Sequence, residues 1–161
     1  MSKAIPQEGF YQELFDMLEE TFETHHGVYL DKGTSLFVTL DQISANEASI
    51  PIGNRCATIA AQVEHVIYYL EVLERDIAGR EVGEVDWGEI WSRVSGVTTP
   101  EWDDLKSRLK EAYARLNLML RGIDNWEQND AIGGSMVIVV HTAYHLGEIR
   151  QALCTVGQPG E

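Results

Sequence analysis

The segment Met136–Leu153, MVIVVHTAYHLGEIRQAL, governs how the rest of the chain is read. It sets two histidines, His141 and His145, four residues apart in a run almost free of charge. On an α-helix that spacing puts both imidazoles on one face, about one turn apart. Two imidazoles so placed can bind one divalent transition metal if a third ligand arrives from elsewhere. Thr142, Ala143 and Tyr144 lie between them, so this is not H-E-x-x-H, whose glutamate serves metalloproteases as general base. Taken alone, the pair is equally compatible with two histidines packed in an ordinary helix.

The surrounding composition bounds the function. The chain has 161 residues, 44% hydrophobic and 24% charged, which suits one domain spanning 1–161 with a single core. Its 26 acidic and 12 basic residues give a net charge of −14. That balance opposes a nucleic-acid partner, which needs clustered Lys and Arg, and opposes an anionic membrane surface. An acidic surface favours solubility first and cation uptake second. The opening MSKAIPQEGF lacks the apolar core of a signal peptide. The longest uncharged run, Ala131 to Gly147, is shorter than the ~20 apolar residues of a membrane span and reads as a helix buried on most sides. Cys56 and Cys154 lie in apolar helical patterns without Cys-x-x-Cys spacing, so reduced, buried thiols in a cytoplasmic protein are expected.

Strand alternation is nearly absent, and four long segments carry helical periodicity. In the first, Gln7 to His26, the residues Phe10, Leu14, Met17, Leu18 and Phe22 form one stripe, with Gly27 as C-cap and His25 and His26 exposed in the last turn. A long connection follows, in which Ser35–Ser44 suggests a short helix and Ser44 with Glu47 a capping box. The second long helix is expected from Arg55 to Ala78 with Asn54 as cap; Glu64, Glu71 and Arg75 mark its solvated side. His65 shares a column with Thr58, Gln62, Tyr69 and Val72, at the edge of a buried surface. A second long crossover, Ala78 to Thr99, contains Trp87 and Trp91 and one turn of helix. Thr98, Pro100 and Glu101 start the third helix, which runs to Leu120. The connection Arg121–Asp130 is short enough to make helices three and four antiparallel neighbours. Asn129 or Asp130 caps the fourth helix, and Gly157 with Pro159 stops it. The expected fold is all-α, a four-helix bundle with two long crossover connections, an architecture whose facing side chains often build metal sites.

If helix two faces helix four, His65 joins His141 and His145, and three neutral imidazoles leave positions open for water or substrate, the ligand count of a catalytic site. At this point the chain resembles a known family. Ile59–Leu73, IAAQVEHVIYYLEVL, together with His141–Leu153, HTAYHLGEIRQAL, is similar to the DinB-like superfamily of metal-binding four-helix bundles. That resemblance implies a divalent metal held by one histidine on helix two and a His-x-x-x-His pair on helix four, here His65, His141 and His145. It also implies a homodimer, and for some relatives metal-dependent transfer to low-molecular-weight thiols. Near the ligands, Glu148 shares the face of His141 and His145 and is the candidate catalytic group. It would orient a ligand, act as a base or join the metal shell, unless it only forms a salt bridge at the rim. Gln62 and Tyr69 are candidate substrate-binding residues, with Tyr144 and Gln151 weaker ones. Zinc or nickel is the favoured metal, with iron, copper or manganese as alternatives.

The leading expectation is a metal-dependent enzyme acting on a small molecule, by thiol transfer or hydrolysis. The alternative is a non-catalytic metal- or small-ligand-binding bundle in a stress response.

Overall fold

The computed structural model describes residues 6–54 and 56–156, and among them the chain is helical without strands. Four long helices, α1 (Gln7–Phe22), α4 (Ile59–Ile77), α6 (Thr99–Arg121) and α7 (Ala131–Val156), alternate with shorter ones. These are α2 (Leu36–Leu40), α3 (Ala45–Ala48) and α5 (Trp87–Arg93), with a 3-10 turn at Ile52–Asn54. The long helix α4 packs against both α6 and α7, and α1 packs against α7. Phe22 of α1 stacks on Tyr113 of α6, with ring centroids 4.3 Å apart, so all four long helices share one core.

Helix α1 stops at Phe22, short of the expected His26, and a buried carboxylate explains the early end. Glu20 accepts hydrogen bonds from the backbone N–H groups of His26, Val28, Tyr29 and Leu30 at 3.2, 2.7, 3.0 and 2.6 Å. Those bonds draw the chain back across the helix end, through Gly27 at φ 83°, where a side chain would be strained. Burial alone would raise the Glu20 pKa, but the four N–H donors outweigh it and hold the group at about 2. His25 and His26 are exposed, as expected.

The connection from α1 to α4 contains α2, whose Leu36 and Leu40 are buried along with Ile43 beyond it, and the capping box of Ser44 and Glu47 is formed. Helix α4 begins at Ile59 rather than Arg55. Thr58, not Asn54, caps it by accepting the Ala61 N–H at 3.1 Å, because Gly53 at φ 58° already breaks the helical path. Cys56 therefore falls outside the helix. It is exposed, as is Cys154, and both thiols are free, so the expectation of buried thiols is overturned.

The solvated side assigned to α4 is also corrected. Glu64 is buried, because α6 lies over it and supplies Arg108, whose guanidinium nitrogens reach the Glu64 carboxylate at 2.9 and 3.2 Å. Helix α6 starts with the Thr98–Glu101 capping box and a proline in its first turn. Its Trp102 is buried and donates from Nε1 to the Ile43 carbonyl at 2.7 Å, tying α6 to the connection between α1 and α4.

The short connection after α6 leads into α7, but each of these helices packs chiefly on α4. Asn129 and Asp130 turn the chain with φ of 49° and 52°. Gly134 lets α7 approach α4 closely: a Cβ there would lie 2.8 Å from Ile77 Cγ1. Helix α7 is less enclosed than its sequence implies, since Ile132, Met136, Val137, Val140 and Tyr144 face outward. Gly157 and Pro159, read as its stop, lie outside the described residues. Among the described residues, no helix is long and apolar enough to cross a membrane.

Candidate metal centre

The packing of α4 on α7 brings His65 onto the His141–His145 face. One ring nitrogen from each of the three lies within 4.8 Å of the others. His65 Nε2 and His141 Nε2 are 3.1 Å apart, although 76 positions separate them in sequence. Two such nitrogens repel unless one carries a proton that it donates to the other. A metal ion held there would take the place of that shared proton, and bonds of ~2.1 Å to tetrahedrally arranged ligands would require nitrogens ~3.4 Å apart. The His65–His141 approach meets that spacing, and the His145 nitrogen lies within 4.8 Å of both. His65 and His145 are buried and His141 is half-buried.

The protonation states agree with the geometry. Burial, reinforced by the neighbouring imidazoles, lowers the pKa of His65 and of His141 to about 4. Burial also lowers that of His145, against the opposing pull of Glu148. Near neutral pH the rings are thus uncharged, the form that binds metal. His145 Nδ1 and Glu148 Oε2 are 3.0 Å apart. A carboxylate only accepts, so Nδ1–H is the donor and Nε2 keeps its lone pair toward the cluster. Glu148 lies outside the three-histidine cluster and reaches it through His145. Of the roles open to it from sequence, this geometry favours orienting a ligand.

Aromatic rings hold the imidazoles in place. Tyr69 stacks on His141 at 3.6 Å between centroids and 15° between planes. Trp91 stacks on His65 at 4.2 Å and 13°. Trp87 lies 5.7 Å from the rings of both His65 and Tyr69. Both indoles come from α5, so this helix is laid over the site and covers His65 against solvent.

No protein-family model, curated protein or solved structure matches this chain. Its functional reading rests on the chemistry of the site.

Beside His145 opens a cavity of about 580 Å³, lined by Cys56, Gln62, Trp91, Tyr144 and Glu148 among others. A second hollow of about 430 Å³ continues it past Gly147 and Gln151, with Cys56, Gln62, Tyr144 and Glu148 common to both. Of the two substrate-binding candidates, Gln62 lines this space, whereas Tyr69 is engaged with His141 and does not border it. Tyr144 and Gln151, the weaker candidates, both border it. Nothing in the sequence around Trp87, Trp91 or Cys56 marks them as neighbours of the site. The one local signal was the Trp87–Trp91 pair at i, i+4 in an otherwise polar crossover, which marks an amphipathic turn but not what it covers.

Proposed function

We propose that the chain is a four-helix bundle of the DinB-like kind, with two long crossovers, which holds one divalent metal between His65, His141 and His145 and acts as a metal-dependent enzyme. The observation that carries this reading is the 3.1 Å approach of His65 Nε2 to His141 Nε2 beside His145, in rings kept neutral by burial. A divalent ion bound there supplies Lewis acidity near neutral pH. Three imidazole nitrogens favour zinc or nickel, with iron, copper and manganese as alternatives.

The chain's own residues supply the rest. Glu148 fixes the tautomer of His145, and because it also lines the cavity it is placed to accept a proton from a group bound there. Tyr69 and Trp91 restrain the His141 and His65 rings, which preserves ligand geometry between turnovers. Gln62 and Tyr144 border the space a small-molecule substrate would fill. The resemblance names thiol transfer and hydrolysis as the reactions to examine first. Free thiols at Cys56 and Cys154 suit a reducing, cytoplasmic setting.

The same reading includes a homodimer. The outward residues Ile132, Met136, Val137 and Val140 form an uncharged apolar face on α7. In a chain of net charge −14, such a face is where two copies can meet without opposing carboxylates.

The test is metal analysis after reconstitution with zinc and with nickel, followed by activity screening with thiol and ester substrates. Stoichiometric metal and chelator-sensitive turnover are expected. Stoichiometric metal without turnover favours the second reading, a metal- or ligand-binding bundle, for which the adjoining cavity already provides a binding space. Failure to bind any divalent ion overturns both metal readings.

A further inference from the structure

The cavity beside His145 has a lining that metal binding alone does not require. Trp91 and Tyr144 both border it, 37% and 61% exposed, with ring centroids 5.9 and 5.1 Å from that of His145. Glu148 adds a half-exposed carboxylate, and among the described residues that line the cavity it is the one charged group. Gln62 is only 6% exposed, and its buried side-chain oxygen has no hydrogen-bond partner. Buried amide oxygens are normally paired, so one left open on a cavity wall marks a position for a donor.

These groups share a polarity. The face of an aromatic ring carries the negative lobe of its quadrupole, a carboxylate carries a full negative charge, and an amide oxygen accepts hydrogen bonds. Two rings, a carboxylate and an open acceptor around one cavity are the elements that recognise an ammonium group. An anion would meet the Glu148 carboxylate and, among the described residues of the lining, no Lys or Arg.

We propose that the cavity takes an organic cation, a small amine with an apolar body, whose ammonium group lies between Trp91, Tyr144, the Glu148 carboxylate and the Gln62 amide oxygen. The apolar body lies along the indole and phenol rings, and N–H groups donate to Glu148 and Gln62. This names the substrate class of the site proposed above, and it rests on that reading for the ligand's chemical fate but not for its binding.

Three probes of one shape separate the charge classes: phenethylammonium, phenethyl alcohol and phenylacetate. Each is titrated calorimetrically into metal-free protein and into zinc-loaded protein at neutral pH. The ammonium probe is expected to bind metal-free protein at least tenfold more tightly than the alcohol, with phenylacetate weakest. Glu148→Gln and Tyr144→Leu should each reduce the ammonium affinity about fivefold more than they reduce that of the alcohol. Tyr144 is a surface position, so that variant keeps the fold and the measurement. Phenylacetate binding as tightly as phenethylammonium, no binding of the ammonium probe, or an ammonium preference untouched by both substitutions would each overturn the inference. Zinc binding is read separately by metal analysis, so a failure of the metal centre and a failure of ammonium recognition give different results.

Discussion

Acid competition provides a quantitative test of the metal centre. Protons and metal compete for the same imidazole lone pairs, so the pKa values of the metal-free site determine how fast affinity falls with pH. An unperturbed imidazole, with pKa about 6.5, is only ~3% neutral at pH 5. Two of them would weaken metal binding by about 10³ between pH 8 and pH 5. In this structure burial holds both His65 and His141 at about 4. At pH 5 each is then ~90% neutral, and together they weaken binding less than about twofold. His145 is shifted in the same direction and adds to the effect. Equilibrium dialysis against zinc at fixed free concentration, from pH 8 to pH 5, measures the affinity directly, with circular dichroism confirming the fold at each pH. Affinity that falls far less than a thousandfold down to pH 5, with the steep loss coming as pH approaches 4, is expected. A thousandfold loss centred near pH 6.5 would refute the burial argument for these rings. The same shifts have a consequence for the metal-free protein. Between pH 6.5 and pH 4 the unfolded chain takes up protons that the folded site refuses, so stability is complete above pH 6.5 and declines as pH falls toward 4. A melting temperature that rises on acidification over that range would contradict the assigned direction.

Further outcomes follow from individual residues. His65→Ala, His141→Ala and His145→Ala should each strongly reduce metal occupancy at neutral pH, whereas the exposed His25→Ala and His26→Ala should leave it unchanged; full occupancy in His65→Ala would refute a site shared between α4 and α7. Glu20→Gln removes the charge and turns an NH2 group toward backbone donors, so at least two of the four bonds are lost. A loss of about 3 kcal/mol in urea denaturation is expected, and an unchanged midpoint would show that the knot at the end of α1 carries little stability. Wild-type protein should lose the Glu20 contribution as pH falls from 4.5 toward 2, the interval between its ordinary and folded pKa values. Val140, 67% exposed on the apolar face of α7, tests the dimer: sedimentation should show wild-type dimer at micromolar concentration and Val140→Lys monomer, and a monomeric wild type would exclude that assembly.

What could be read before folding was what neighbouring residues impose on one another. The boxes at Ser44–Glu47 and Thr98–Glu101 each close within one helical turn, and their residues reach no partner farther away. The inward stripe of α6, from Leu105 to Leu120, follows from the helical repeat, and the buried set agrees with it. The same repeat put His141 and His145 on one face of α7. Burial of the charged residues was not legible, because it depends on partners distant in sequence. Glu64 looks solvated until Arg108, 44 positions away, covers it. Glu20 looks like a surface acid until residues 26 to 30 fold back onto it. Cys56 reads as core in the apolar pattern, yet Gly53 and the Thr58 cap start α4 after it. The site divides in the same way: helical spacing determined the His141–His145 pair, whereas the third imidazole and the indole of Trp91 against it arrive only when α4 and α5 pack. Their placement is a property of helix contacts between residues tens of positions apart, which no local repeat encodes.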